Sequence, residues 1–192
     1  MKHFGHISTD GGPVLLATLS DVSLWRGIEG GVEGSDDDRV CQLVDADDTI
    51  EGIQIALGAG NAILWDVHGG GTVEVYLPEN RHAIMLMRPR VDEEDGISAL
   101  AAIAFSRDTY IGSITVRQGA VAILDSTENT SLMSGIDSVS GRIKGDFAFT
   151  DSTLVLSLNI GTYRCYHERV EAPDGLARRL YLEFSDAADV LP

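Results

Sequence analysis

Alternation of apolar and polar residues, rather than helical periodicity, dominates this chain. Ile53, Ile55 and Leu57 alternate with polar or small residues, which is the period-two pattern of a half-buried strand. Apolar runs bounded by turn residues predict further strands at 13–18, 62–67, 72–77, 82–87, 113–117, 120–124, 146–149, 154–158, 163–170 and 179–184. Residues 39–44 also have strand character.

Turn residues predict how some of these strands are joined. The run Gly69-Gly70-Gly71 can take the positive φ of a hairpin loop, so it predicts a hairpin between residues 62–67 and 72–77. A second hairpin is predicted around Pro173-Asp174-Gly175, joining 163–170 to 179–184. Pro89 is expected to end the strand that begins at His82.

One helix is predicted near the middle of the chain. Four acids at residues 92–95 suit the positive N-terminus of a helix, and Ile97, Leu100, Ala101 and Ala104 supply one apolar face. Residues 20–25 predict only a short helical turn, which Gly27 stops.

The two sides of this helix share a short pattern, G-T-x-x-x-Y, at residues 71–76 and 161–166. Either an internal duplication or chance similarity between strands accounts for it. The expected fold is α+β and predominantly antiparallel β, with two strand-rich halves joined by one helix. The halves are residues 1–106, ending in the helix, and residues 107–192, either as two units or as a single domain.

The net charge of the chain limits the expected partners. The chain has 30 Asp and Glu residues against 14 Lys and Arg, a net charge of −16. Phosphate contacts need Lys and Arg, so nucleic acid and anionic membranes are not expected partners. Nine acids and one base, Arg39, fall between residues 29 and 51. Such acidity either keeps the protein soluble or attracts a basic partner at long range.

The expected cellular location and the expected lack of catalytic residues are predicted mainly from motifs that the sequence does not contain. No apolar run has the length of a signal peptide or a membrane span, so a cytoplasmic location is expected, with Cys41 and Cys165 reduced rather than paired. Phosphate loops, dinucleotide fingerprints, nucleophile elbows and zinc motifs are missing. Asp36-Asp37-Asp38 lacks the spacing of a calcium loop. We therefore expect no catalytic residue, no metal and no cofactor.

Five short motifs follow one another between residues 7 and 105: Gly11–Leu16, Leu24–Gly27, Asp36–Cys41, Ala62–Asp66 and Leu77–Glu79. In this order they resemble an immunity-protein family of bacterial polymorphic toxin systems, and Gly161-Thr162-Tyr163-Arg164 resembles its later strand. The chain departs from the family pattern at Asp37, where an aromatic residue is expected, and at Trp65, where glycine is expected. Val67-His68 replaces an expected Glu-Pro pair.

The resemblance implies a protein that binds and neutralises a cognate toxin, for example a basic nuclease, without catalysis of its own. The acids expected to contact the toxin are Asp36, Asp37, Asp38, Asp66 and Glu79. Trp25 and Trp65 are expected in the core.

Two other functions remain open from the sequence. A small-molecule-binding or hydrolytic β-rich protein would gather His68, His82 and Asp66 in a pocket between the halves. A structural or oligomeric module would use its acidity for solubility alone. The sequence does not specify the oligomeric state.

Overall fold

The computed structural model describes residues 1–10, 12–27, 36, 40–42, 51–67, 69–90, 94–127, 136–137, 142–143, 152–173 and 175–185, with the side chains of 94–95, 136–137 and 142–143 outside this description. Its strands are β1 (Lys2–Thr9), β2 (Val14–Thr18), β3 (Gly52–Leu57), β4 (Gly60–Trp65), β5 (Gly71–Leu77), β6 (Ala83–Arg90), β7 (Thr109–Val116), β8 (Ala120–Asp125), β9 (Ile136–Asp137), β10 (Arg142–Ile143), β11 (Thr153–Ser157), β12 (Gly161–Ala172) and β13 (Gly175–Ser185). The helices are α1 (Leu19–Val22) and α2 (Glu94–Ala102), and residues 40–42 are also helical.

Two antiparallel sheets make up the architecture. A six-stranded sheet has the order β1-β5-β6-β13-β12-β7, and a five-stranded sheet has the order β11-β8-β2-β4-β3. The short strands β9 and β10 pair with each other. The predicted fold class, α+β with predominantly antiparallel strands, is confirmed.

The main core lies between the two sheets and is built from alternate residues of each strand. Ile84 and Leu86 contribute to it from the six-stranded sheet, and Leu16 and Ile63 from the five-stranded sheet. Every second residue of a strand points to the same face, which is why these positions stay apolar. Burial of one such side chain contributes about 1.5–3 kcal/mol to stability.

The outer faces of both sheets are covered as well. Leu15 and Leu64, on the other face of the five-stranded sheet, pack with Trp25 and with Val40 of the helical residues 40–42. On the six-stranded sheet the outer face packs against Leu100 of α2. Central strands are therefore apolar on both faces, which explains the continuous apolar runs in β2 and β6. Among the described residues no helix is long and apolar enough to cross a membrane.

The two halves share one strand topology, related by a pseudo-two-fold axis through the sheets. The order of the six-stranded sheet is preserved when β1, β5 and β6 exchange with β7, β12 and β13. The five-stranded sheet follows the same rule, with β2 and β4 exchanging with β8 and β11. Among the described strands, β3 of the first half and the short β9 and β10 of the second half have no counterparts. The axis passes between β2 and β8 and between β6 and β13, so both sheets combine strands of both halves.

Strand registers support this equivalence in detail. The β1–β5 ladder has a bulge between His3 and Gly5, and the β7–β12 ladder has one beside Gly112. Next to each bulge a ring pair meets edge to face, His3 with Tyr76 at 5.4 Å and Tyr110 with Tyr166 at 5.7 Å between centroids. Tyr76 and Tyr166 are the tyrosines of the repeated G-T-x-x-x-Y pattern, which therefore marks equivalent strands.

The hairpin predicted at the glycine run is wrong. β4 belongs to the five-stranded sheet and β5 to the six-stranded sheet, so Gly69-Gly70-Gly71 carries the chain from one sheet to the other. A Cβ at Gly69 would overlap the side chains of Asp66 and Arg88, and Gly71 has φ +97°. Glycine is needed at these two positions for close approach and for backbone conformation, respectively.

Of the other predictions of secondary structure, one hairpin is confirmed and two segments are wrong. The hairpin of β12 and β13 is confirmed by the pairing of Ala172 with Gly175, whereas Pro89 lies inside β6 instead of ending it. Residues 40–42 are helical, which contradicts the strand character of that segment, and the strand predicted at 146–149 lies outside the described residues. Cys41 and Cys165 are both free of disulfides, Cys41 exposed and Cys165 buried.

Candidate functional site

A buried carboxylate lies where the chain leaves β4. Asp66 has φ +54°, and its side chain is 0 % exposed. Arg88 of β6 places Nε 3.0 Å from Asp66 Oδ2, and Arg178 of β13 donates from Nη1 to Asp66 Oδ1. Arg88 and Arg178 are directly opposed in the β6–β13 register, so the sheet itself sets their spacing around the carboxylate.

The ion pairs continue outward to the end of the acid-rich stretch of sequence. The backbone oxygen of Glu51 accepts a hydrogen bond from Asp66 N at 2.7 Å, and the Glu51 carboxylate accepts one from Arg169 Nη2. Arg178 Nε lies 3.6 Å from Glu51 Oε2. We call Glu51, Asp66, Arg88, Arg169 and Arg178 the ionic cluster. It connects β4 of one sheet with β6, β13 and β12 of the other.

Burial makes this cluster electrostatically costly. Desolvation lowers the pKa of Arg88, and the negative charge of Asp66 opposes that effect. Arg88 Nη2 donates to Thr9 Oγ1 at 3.0 Å, but Nη1 has no hydrogen-bond partner among the described residues. A buried ion pair often stabilises a fold no more than apolar side chains of similar volume would. The presence of the cluster therefore does not by itself indicate added stability.

The pseudo-two-fold axis allows the two equivalent ends of the sandwich to be compared. Arg88 and Arg178 lie three residues along the ladder from the paired Met85 and Tyr181, where the axis passes. Three residues in the opposite direction are His82 and Phe184, whose rings stack with centroids 5.2 Å apart. One end of the sandwich is therefore ionic, and the equivalent end is aromatic. The shared topology does not require charges at this position.

His167 adds a titratable group beside the ionic cluster. Its Nδ1 accepts a hydrogen bond from Trp65 Nε1 at 3.0 Å, so the proton of the neutral ring lies on Nε2. Burial lowers the pKa of His167; Asp66 acts to raise it and Arg178 to lower it. His167 is consequently neutral at pH 7.

The structure separates the acids predicted to contact a partner. Asp66 is fully buried within the ionic cluster, which corrects its assignment as an accessible contact. Asp36 is half-buried, and its carboxylate accepts a hydrogen bond from Arg26 N at 2.9 Å. Glu79 is exposed in the β5–β6 turn, where it lines an open cleft of about 430 Å³. Asp37 and Asp38 lie outside the described residues.

Several residues of the family-like motifs hold the scaffold together. The indole Nε1 of Trp25 donates to Ser126 O at 2.7 Å, which ties the α1 segment to the end of β8. A Cβ at Gly12 would lie 2.8 Å from Asp125 Oδ1, so only glycine fits closely there. The expectation that Trp25 and Trp65 are core residues is confirmed, because both are buried.

Charge is distributed very unevenly between the scaffold and the rest of the chain. Four segments, 28–50, 91–95, 128–151 and 186–192, hold 18 of the 30 acids and three of the 14 bases. The rest of the chain, which includes every strand of the two sheets, holds 12 acids and 11 bases. Nearly all of the net charge of −16 therefore comes from these four segments, which lie outside the strands of the two sheets.

The residues of the small-molecule hypothesis are not gathered in a pocket. His82 precedes β6 and Arg88 lies near its end, about 20 Å away along a strand that rises about 3.3 Å per residue. Asp66 contacts Arg88, so it lies at the opposite end of the strand from His82. His68 is outside the described residues. In the described part of the chain, no group of three or more His, Cys, Asp or Glu residues is arranged to hold a metal ion.

Sequence reasoning overlooked Glu51, Arg88, Arg169 and Arg178. A signal for two of them was present: Ile84, Leu86 and Arg88 alternate along β6, and Leu182, Leu180 and Arg178 along β13. An arginine that continues an inward-facing apolar series must find a buried partner. The identity of that partner, Asp66, depends on how distant strands pair.

Comparisons with protein-family models, with curated proteins and with solved structures found no match to this chain.

Proposed function

We propose that this chain is an immunity protein that binds a cognate bacterial toxin in the cytoplasm and neutralises it by protein–protein contact. The toxin surface that it meets is basic, as in a nuclease that holds nucleic acid. The protein needs no catalytic group for this role, since covering or obstructing the toxin's active cleft is sufficient.

The segregation of charge is the observation that carries the proposal. A nearly neutral two-sheet scaffold bears segments with 18 acids and three bases. If acidity served only solubility, an even spread over the whole surface would do as well. Acids concentrated in connecting segments produce a local negative field, which raises the association rate with a basic partner.

The ordered motifs of the sequence give separate support. They resemble an immunity-protein family, and the described parts of those motifs, such as Trp25 and Asp66, brace the scaffold near the ends of the acid-rich stretch. Within this proposal Asp36, Asp37, Asp38 and Glu79 are the contact acids. Asp66 takes a supporting role because it is buried.

Co-expression with the product of the neighbouring gene tests the proposal. We expect the wild-type protein to restore growth to cells that express that product. Replacing Asp36, Asp37 and Asp38 together by asparagine should weaken protection, because it removes three acids from the stretch. A matched control replaces Asp10, Asp108 and Glu171, three exposed acids of the scaffold, by their amides.

The control should protect as well as the wild type. Failure of the wild-type protein to protect against, or to bind, any toxin encoded beside it would contradict the proposal. Equal losses in the two triple variants would show that total charge matters and not the acid-rich stretch.

A further inference from the structure

The outermost carboxylate of the ionic cluster is held in place from several directions. Glu51 is only 17 % exposed, and its backbone oxygen accepts from Asp66 N at 2.7 Å. Arg178, itself fixed by Asp66, lies behind it with Nε 3.6 Å from Glu51 Oε2. Oε2 has no hydrogen-bond partner among the described residues. Because Oε2 is buried, the oxygen that a replacement cation would contact is Oε1, to which Arg169 donates.

The group on the outer side of Glu51 is much less constrained. Arg169 pairs with Glu51 Oε1, yet its own side chain is 59 % exposed. An ion pair with one partner in solvent stabilises a fold little, because the long side chain loses conformational entropy on pairing. Arg169 can therefore leave Glu51 at small cost, whereas Glu51 cannot follow it.

We propose that an arginine of the protein's basic partner takes the place of Arg169 on Glu51 when the complex forms. The identity of the partner rests on the proposed function, but the cation site itself does not. A guanidinium is the fitting group because it stays charged and donates hydrogen bonds in fixed directions, and in the free protein the guanidinium of Arg169 donates to Glu51 Oε1. Asp66 then acts as a positioning residue, fixing Arg178 and the backbone of Glu51.

The site can be tested without the partner by chemical rescue. In an Arg169→Ala variant the carboxylate of Glu51 loses its cation, so ethylguanidinium at millimolar concentration should raise the melting temperature by about 1 °C. Ethylammonium, which lacks the planar donors, should raise it less. The double variant with Glu51→Gln should show no rise. Absence of rescue in Arg169→Ala, or an equal rise in the double variant, overturns the proposed site.

Binding to the neighbouring gene product tests the exchange. We expect Glu51→Gln to weaken binding by about tenfold or more, because a partner arginine loses its charged acceptor. Arg169→Ala should strengthen binding, since it removes the internal competitor. A merely structural role for the Glu51–Arg169 pair predicts a loss or no change in Arg169→Ala, and either result overturns the exchange.

A second exposed Arg–Glu pair provides the matched control. Arg107 and Glu183 pair on the outer face of the six-stranded sheet, with side chains 50 % and 38 % exposed. Arg107→Ala removes one positive charge, as Arg169→Ala does. If both variants bind the partner more tightly by the same factor, the gain comes from long-range attraction alone, and the proposed exchange of arginines on Glu51 is overturned. If the wild type binds no product of a neighbouring gene, the proposed function fails, while the rescue result still decides the cation site.

Discussion

At the residue scale, Asp66 shows how burial changes the role of an acid. Its position after an apolar strand and before glycines gave it the sequence features of an exposed turn residue. Arg88 and Arg178, which surround it, come from strands 22 and 112 residues further along the chain. No local pattern reveals that meeting, so the residue could be singled out from the sequence but its role could not.

Replacement of Asp66 by asparagine should strongly destabilise the fold. The change leaves Arg88 and Arg178 without their shared buried counter-charge, and breaking a buried pair in this way costs about 3–5 kcal/mol. Chemical denaturation of the purified variant measures the loss. Glu183→Gln, which breaks the exposed pair with Arg107, is the control and should cost under about 1 kcal/mol. Similar losses in the two variants would show that Asp66 is not held as described.

His167 predicts a pH dependence of stability. Its pKa in the folded protein is lowered from the ordinary 6.5, so the unfolded chain takes up its proton first as pH falls. The free energy of unfolding should therefore be full above about pH 6.5 and should decline below it until the folded pKa is passed. Denaturation at a series of pH values gives the slope. His167→Gln should remove this contribution, and an unchanged profile would assign the slope to other groups.

At the scale of elements, strands were easier to predict than their partners. The period-two pattern of β3, the turn between β12 and β13 and the acid-initiated α2 are local signals, and the structure has all three. The hairpin at Gly69–Gly71 failed because adjacency in sequence does not decide which sheet a strand joins. β5 pairs with β1 and β6, and β4 with β2 and β3.

Helix α2 depends on one buried arginine. Arg179 of β13 donates to the backbone oxygen of Leu100 in the last turn of the helix and to those of Ile103 and Ala104, which directly follow it. Arg179 also pairs with Glu168. Cations at this end also complement the helix dipole. The arginine therefore anchors the helix to the six-stranded sheet.

Arg179→Met should loosen α2 more than the rest of the molecule. Leu100 is buried, and one buried acceptor left unsatisfied costs about 1–3 kcal/mol, so amide hydrogen exchange in α2 should accelerate by about tenfold or more. Exchange followed by mass spectrometry or NMR resolves the helix from the strands. Arg107→Met, a change in the exposed segment that follows the helix, should leave the exchange of α2 nearly unaltered. Uniform acceleration throughout the variant would argue against a local anchor.

At the scale of the whole molecule, the two halves share one strand topology, but the two ends of the sandwich differ in chemistry and most of the net charge lies outside the strands. The G-T-x-x-x-Y echo was a weak hint in the sequence, and it became informative once bulges and ring pairs were found at matching positions. The net charge was evident from composition alone. Its concentration outside a nearly neutral scaffold required the structure, because only the fold shows which segments form the sheets.

The proposed function is neutralisation of a toxin by direct binding. Titration of the purified protein into the purified product of the neighbouring gene, with the toxin's enzymatic activity as the readout, tests this proposal. We predict a loss of activity that is complete near one equivalent and that needs a higher concentration as salt is added, because salt screens the acid-rich segments. Undiminished toxin activity in excess protein at low salt would contradict the claim.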